Sequence, residues 1–115
     1  RVVVSAEIVP PTLNDSFLSG NIIDTWAHHF GKEIFFEGQR LDMGAEDFPF
    51  FTTDPYIPSL YFGVGGTPAA DFAREKAGGA PVPSHHSPLF KIEPRASILL
   101  GVEASVTALL ELLQE

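Results

Sequence analysis

The pattern of apolar and polar positions divides the chain into short, distinct pieces. Val2 to Val9 is rich in β-branched residues and predicts a strand. The breaker PPTLND (10–15) ends it, and Asn14 or Asp15 can cap a helix running from Ser16 to Phe30. Phe17, Leu18, Ile22, Ile23, Trp26, Ala27 and Phe30 fall on one face of that helix. Gly20 weakens it slightly, and Gly31 is placed to close it. KEIFFEGQR (32–40) is the next strand candidate, giving the order strand, helix, strand.

The texture then changes. MGAEDFPFFTTDPYIPS (43–59) is dense in proline and phenylalanine and reads as loop with one helical turn. LYFGVGG (60–66) is a short apolar run closed by glycines, as in a strand buried on both faces. A short helix is expected at Ala69–Ala77 within an otherwise looped stretch. Pro94 suits the first position of a final helix reaching Leu113, with Ile98, Leu99, Val102, Val106, Leu109, Leu110 and Leu113 on one face. The pattern therefore predicts an α+β fold with a boundary near Asp42–Asp47: a strand–helix–strand piece over 1–43 and a strand–loop–helix piece over 44–115. Neither has enough elements to cover a two-sided strand at 60–64. This, with an opening that reads as mid-strand and lacks Met, leads us to expect more chain or a partner.

Composition narrows the function classes. The 115 residues are 44% hydrophobic and 19% charged, which is globular rather than disordered. The net charge is −8, and no basic cluster exists to meet nucleic acid or an anionic membrane surface. No apolar run approaches the ~20 residues of a membrane span, so a soluble chain is expected. The compartment stays open between cytoplasm and periplasm, with the cytoplasm preferred. With no cysteine, any metal here must be held by imidazole and carboxylate.

Two histidine pairs and one carboxylate pair are the candidate chemistry. His28 and His29 lie near the end of the first helix, where the dipole favours histidine without any further role. His85 and His86 sit in PSHHSPLF (83–90), bracketed by prolines that can hold an imidazole with little further loss of entropy. Successive extended residues point to opposite sides, so one of the two is expected to face a site; a merely polar loop is the other reading. Glu46 and Asp47 can serve as general acid or base, or bind a metal, or simply favour the start of a helix. The glycines of GVGG lack the spacing and the following Lys-Ser or Lys-Thr of a phosphate loop. Neither HExxH nor GxSxG occurs, and nothing places an acid behind Ser84 or Ser87 to form a triad.

Three segments, in order, carry a resemblance. PPTLND with its following helix, MGAEDFPFF, and HHSPLFKIEPRASILLGVEASVTALLELL together resemble the C-terminal part of the metal-dependent amidohydrolases and carboxypeptidases. That family includes aminoacylase, hippurate hydrolase and the indole-acetyl-amino-acid hydrolases. PPTLND and its helix resemble the end of the family's inserted lid domain, through which members dimerise. MGAEDFPFF is similar to the family's Gly-Ser-Glu-Asp-Phe motif, and the HHSPLF segment resembles its final ligand loop and closing helix. The likeness covers nearly the whole chain and implies an α/β catalytic domain in the complete parent.

By this resemblance the histidine directly before Ser-Pro, His86, is a metal ligand. His85 has no counterpart and would lie behind the ligands or be exposed. Glu46 and Asp47 match the motif near the active cleft but are not the family's Glu-Glu pair, which contains the general base. Ala45 stands where the motif usually has Ser, and Pro94-Arg95 stands where many members carry an acidic pair. The family holds two metal ions, zinc by default, with manganese, cobalt or nickel as alternatives. Its upstream ligand segments do not occur in this sequence. The expectation is therefore a part of a hydrolase of N-acyl amino acids or small peptides, inactive alone and lacking the N-terminal part of the catalytic domain. The alternative is a free-standing, non-catalytic α+β module that oligomerises or binds a ligand.

Overall fold

The computed structural model describes residues 2, 8–35 and 46–114. Among the described residues there are four helices: α1 (Ser16–Phe30), α2 (Pro49–Thr52), α3 (Ala69–Lys76) and α4 (Pro94–Leu112), with a 3-10 turn at Lys32–Ile34 after α1. Among the described residues there is no β-strand. The expected α+β class is thereby corrected to a helical one. Residues 3–7 of the first strand candidate and 36–40 of the second lie outside the described residues. The described start of the second candidate, Lys32–Ile34, is a 3-10 turn rather than a strand. The 60–66 run carries no regular secondary structure. A strand exists only through a ladder partner, and the backbone of this run is engaged otherwise. Asn14 holds Tyr61 through its side chain, and the Gly65 and Gly66 carbonyls serve the start of α4.

The chain separates into two compact units, residues 1–62 with 114–115, and residues 63–113. The boundary expected at 42–47 falls largely on residues that are not described.

In the first unit, α1 has the predicted limits because both ends are capped locally. The Asp15 carboxylate accepts the Leu18 N–H at 2.9 Å, and the Gly31 N–H returns to the Ala27 carbonyl at 3.1 Å. Gly31 has φ 91° and ψ 158°, a region open essentially to glycine alone. Of the predicted apolar face, Ile22 and Trp26 are buried, while Phe17 stays 74% exposed. The Trp26 ring meets Phe62 edge-on, with centroids 4.8 Å apart. Pro49 at the start of α2 is fully buried, and Phe48 leans on Tyr61 at 5.3 Å. The start of α1 is tied to the 56–61 segment by three contacts: Asp15 N–H to the Ser59 carbonyl, Tyr56 hydroxyl to Asp15, and Asn14 to Tyr61.

In the second unit, α3 ends in a Schellman arrangement: the Gly79 N–H reaches the Arg74 carbonyl and the Gly78 N–H the Glu75 carbonyl. Pro94 opens α4, as the sequence predicted. Apart from half-buried Leu100 and Glu111, the covered side of α4 carries small residues. Ala104 is buried at 6% exposure, and Ser97, Gly101 and Ala108 are half-buried. Val64 Cγ2 lies 3.7 Å from where a Cβ on Gly101 would stand. At about 100° per residue this stripe is opposite the large apolar one, in which Leu99, Val106 and Leu113 remain 56%, 48% and 69% exposed. No helix of the described residues is long and apolar enough to cross a membrane.

Candidate metal-ligand loop

The loop that carries His86 is built by backbone bonds and close packing at its base. The Ser87 N–H donates to the Ser84 carbonyl at 2.9 Å, and the Phe90 N–H to the Ser87 carbonyl at 3.0 Å. The Ser87 hydroxyl accepts the Leu89 N–H at 3.1 Å, a local bond typical of serine in turns. These bonds form two successive turns across SHHSPLF and set both histidines at the tip, exposed to solvent.

At the base of the loop, Glu93 donates its N–H to the Gly66 carbonyl at 2.7 Å. The Ser97 hydroxyl donates to the Gly65 carbonyl at 3.0 Å and to the Glu93 carbonyl at 2.9 Å. A Cβ on Gly66 would stand 3.2 Å from Ile92 Cγ2 and 3.9 Å from Phe90 Cζ. Gly66 thus has a structural use that sequence reasoning missed. It lets the return of the 84–90 loop, at Phe90 and Ile92, lie directly on its backbone. The signal available was a glycine pair following an apolar run, a mark of close backbone approach.

Contrary to the expectation of divergent imidazoles, the rings of His85 and His86 lie together. Their centroids are 4.3 Å apart, with planes tilted by 49°. The reason is local: these residues occupy a turn, and the two-sided alternation of extended chain does not apply to a turn. His28 and His29 also end exposed, in the last turn of α1, with His29 edge-on to Phe30 at 4.6 Å.

No protein-family model, curated protein or solved structure matches the chain.

Glu46 and Asp47 belong to the first unit, whereas His86 belongs to the second. Both carboxylates are exposed, and the Asp47 carbonyl accepts the Phe50 N–H at 3.1 Å, just ahead of α2. Both precede the N-cap Phe48, so neither lies in the first turn of α2. Among the described residues no group of three or more histidine, aspartate or glutamate side chains could hold a metal ion. A structural zinc site takes four protein ligands and a catalytic one three. The described residues therefore do not complete the two-ion centre that the family resemblance implies.

The first unit also contains a shallow cleft of about 100 Å³ lined by Pro11, Leu13, Thr52, Thr53, Tyr56 and Ser59. Beside it the Tyr56 hydroxyl donates to Asp15 Oδ2 at 2.6 Å. This bond, with the Leu18 N–H, holds the Asp15 carboxyl below its ordinary 3.8, and the bond to Asp15 pushes the Tyr56 phenol above its ordinary 10.0.

Proposed function

We propose that this chain is a C-terminal portion of a metal-dependent amidohydrolase or carboxypeptidase acting on the amide bond of N-acyl amino acids or small peptides. His86 is one of its metal ligands. The observation that carries the reading is the placement of His86. It stands exposed at the tip of a loop bonded to itself at Ser84, Ser87 and Phe90 and anchored to Gly66 just before α4. A ligand shared with other segments needs this kind of presentation: fixed backbone, solvent-exposed imidazole.

The exposed stripe of α4 supports the same reading. A helix whose large apolar side chains face outward and whose small ones face its own unit suits a larger core completed by further protein. The remaining ligands and the general base come from that further protein, so no reaction step is assigned to the residues here. Glu46 and Asp47 stand near the cleft of the assembled enzyme and serve neither as base nor as ligand. Zinc is the default ion for imidazole and carboxylate donors, and manganese, cobalt and nickel suit the same donor set.

The test uses the purified 115 residues. Calorimetry with zinc chloride should detect weak binding that His86→Asn removes, and the chain alone should not hydrolyse hippurate. Zinc binding indifferent to His86→Asn, or robust turnover of hippurate, would sink the reading.

The same bare stripe favours a second reading, a non-catalytic module that closes on a copy of itself. Sedimentation velocity separates the two. A discrete, cooperatively melting dimer that ignores zinc supports the module, whereas a marginal, zinc-responsive chain supports the hydrolase portion.

A further inference from the structure

The four histidines form two adjacent pairs, and the structure treats the pairs differently. On α1, neighbouring side chains project about 100° apart, and His29 is turned against Phe30. On the 84–90 turn, His85 and His86 have their ring centres 4.3 Å apart, with both side chains exposed.

We infer that His85 and His86 together form a two-imidazole site for a divalent transition-metal ion such as zinc, supplied by this loop alone and independent of any parent protein. Geometry sets the first condition. Zinc–nitrogen bonds are about 2.0–2.1 Å, so two rings on one tetrahedral ion have centres roughly 5 Å apart. The observed pair must open by less than about 1 Å to reach that, and exposed side chains can do so by small χ rotations. Pre-organisation sets the second. The turn bonds at Ser84, Ser87 and Phe90 hold the backbone that carries both rings, so chelation orders little that is still free. The third condition is electrostatic. A net charge of −8 concentrates cations around the molecule. With only two protein donors, water fills the ion's other positions, and the site binds far more weakly than one with four protein ligands.

The assignment of His85 as a ligand separates this inference from the hydrolase reading, which needs His86 alone. The experiment is calorimetric titration of the 115-residue chain with zinc chloride, with the ring nitrogen resonances of the four histidines followed by NMR. Binding should be one-to-one and should shift the resonances of His85 and His86 together. His85→Asn and His86→Asn should each weaken zinc by at least about tenfold, as loss of a ligand must exceed the 10–100-fold cost of disturbing a group behind one. The His28→Asn/His29→Asn double variant should bind like the parent chain. All four positions are exposed, and a circular dichroism spectrum checks that each variant keeps its helices. If His85→Asn leaves zinc affinity unchanged while His86→Asn removes it, the two-imidazole site is overturned and the hydrolase ligand stands. If the His28/His29 variant loses the binding, or if neither His85 nor His86 matters, the site is overturned as well.

Discussion

The Asn14 side chain grips both backbone groups of Tyr61: its Oδ1 accepts the Tyr61 N–H at 2.7 Å, and its Nδ2 donates to the Tyr61 carbonyl at 2.9 Å. One side-chain amide thereby does for Tyr61 what a neighbouring strand would do. The sequence distance is 47 residues, so the bond pair closes a long loop as well as satisfying a backbone. Asn14→Ala should destabilise the first unit by about 1 kcal/mol, the low end for two bonds at an exposed site. Asn14→Asp should recover little, because a carboxylate keeps the acceptor but faces the Tyr61 carbonyl without a donor. Urea unfolding followed by the fluorescence of Trp26, the single tryptophan, measures both.

Asp15 and Tyr56 should confine the stability of that same corner to a pH window. The Tyr56 hydroxyl is the main cause of the lowered Asp15 carboxyl, and Asp15 is the main cause of the raised Tyr56 phenol. The folded state therefore favours the ionised acid and the neutral phenol. The contribution of Asp15 is complete above 3.8 and is lost as pH falls through its lowered value. The contribution of Tyr56 is complete below 10.0 and is lost as pH rises through its raised value. Tyr56→Phe should abolish the alkaline loss and weaken the acid one, with urea midpoints read from about pH 2 to about pH 11 so that both limbs are covered. An alkaline limb identical in the variant would contradict the assignment.

On α4 the usual ranking of helix substitutions should invert. Val106 is large, apolar and 48% exposed, whereas Ala104 is small and 6% exposed. Val106→Glu should change the stability of the isolated chain by less than about 0.5 kcal/mol, as at other exposed positions. It should also reduce binding of an apolar dye such as ANS. Ala104→Leu should cost about 1–3 kcal/mol through overpacking. Thermal melts by circular dichroism give the order; a larger loss in Val106→Glu would show that the outer stripe is already covered.

Ser19 offers a gain. Its hydroxyl oxygen is buried within α1 and has no hydrogen-bond partner among the described residues. An unpaired buried hydroxyl costs about 1–3 kcal/mol, and alanine is also the better helix former. Ser19→Ala should raise stability by about 1 kcal/mol, seen as a higher urea midpoint at unchanged slope.

What the residues determined by themselves is the helices. Asp15, Gly31 and Pro94 bounded α1 and opened α4 where the sequence predicted, because helix bonds and caps join residues about three to five apart and need nothing distant. The short helices α2 and α3 were legible for the same reason. The apolar stripe of α4 was also readable as a face, since periodicity follows from helix geometry alone. Whether that face is covered was not readable. Burial belongs to the neighbours, and the second unit set Gly101 and Ala104 inward instead.

The apolar run at 60–66 misled for a related reason. A strand is completed by a partner elsewhere in the chain, and Asn14, Glu93 and Ser97 took up the backbone groups that a sheet would have used. The histidine pair followed the same division. Its place in a proline-bracketed loop was visible in PSHHSPLF, but only the folded turn brought the two rings to the same side.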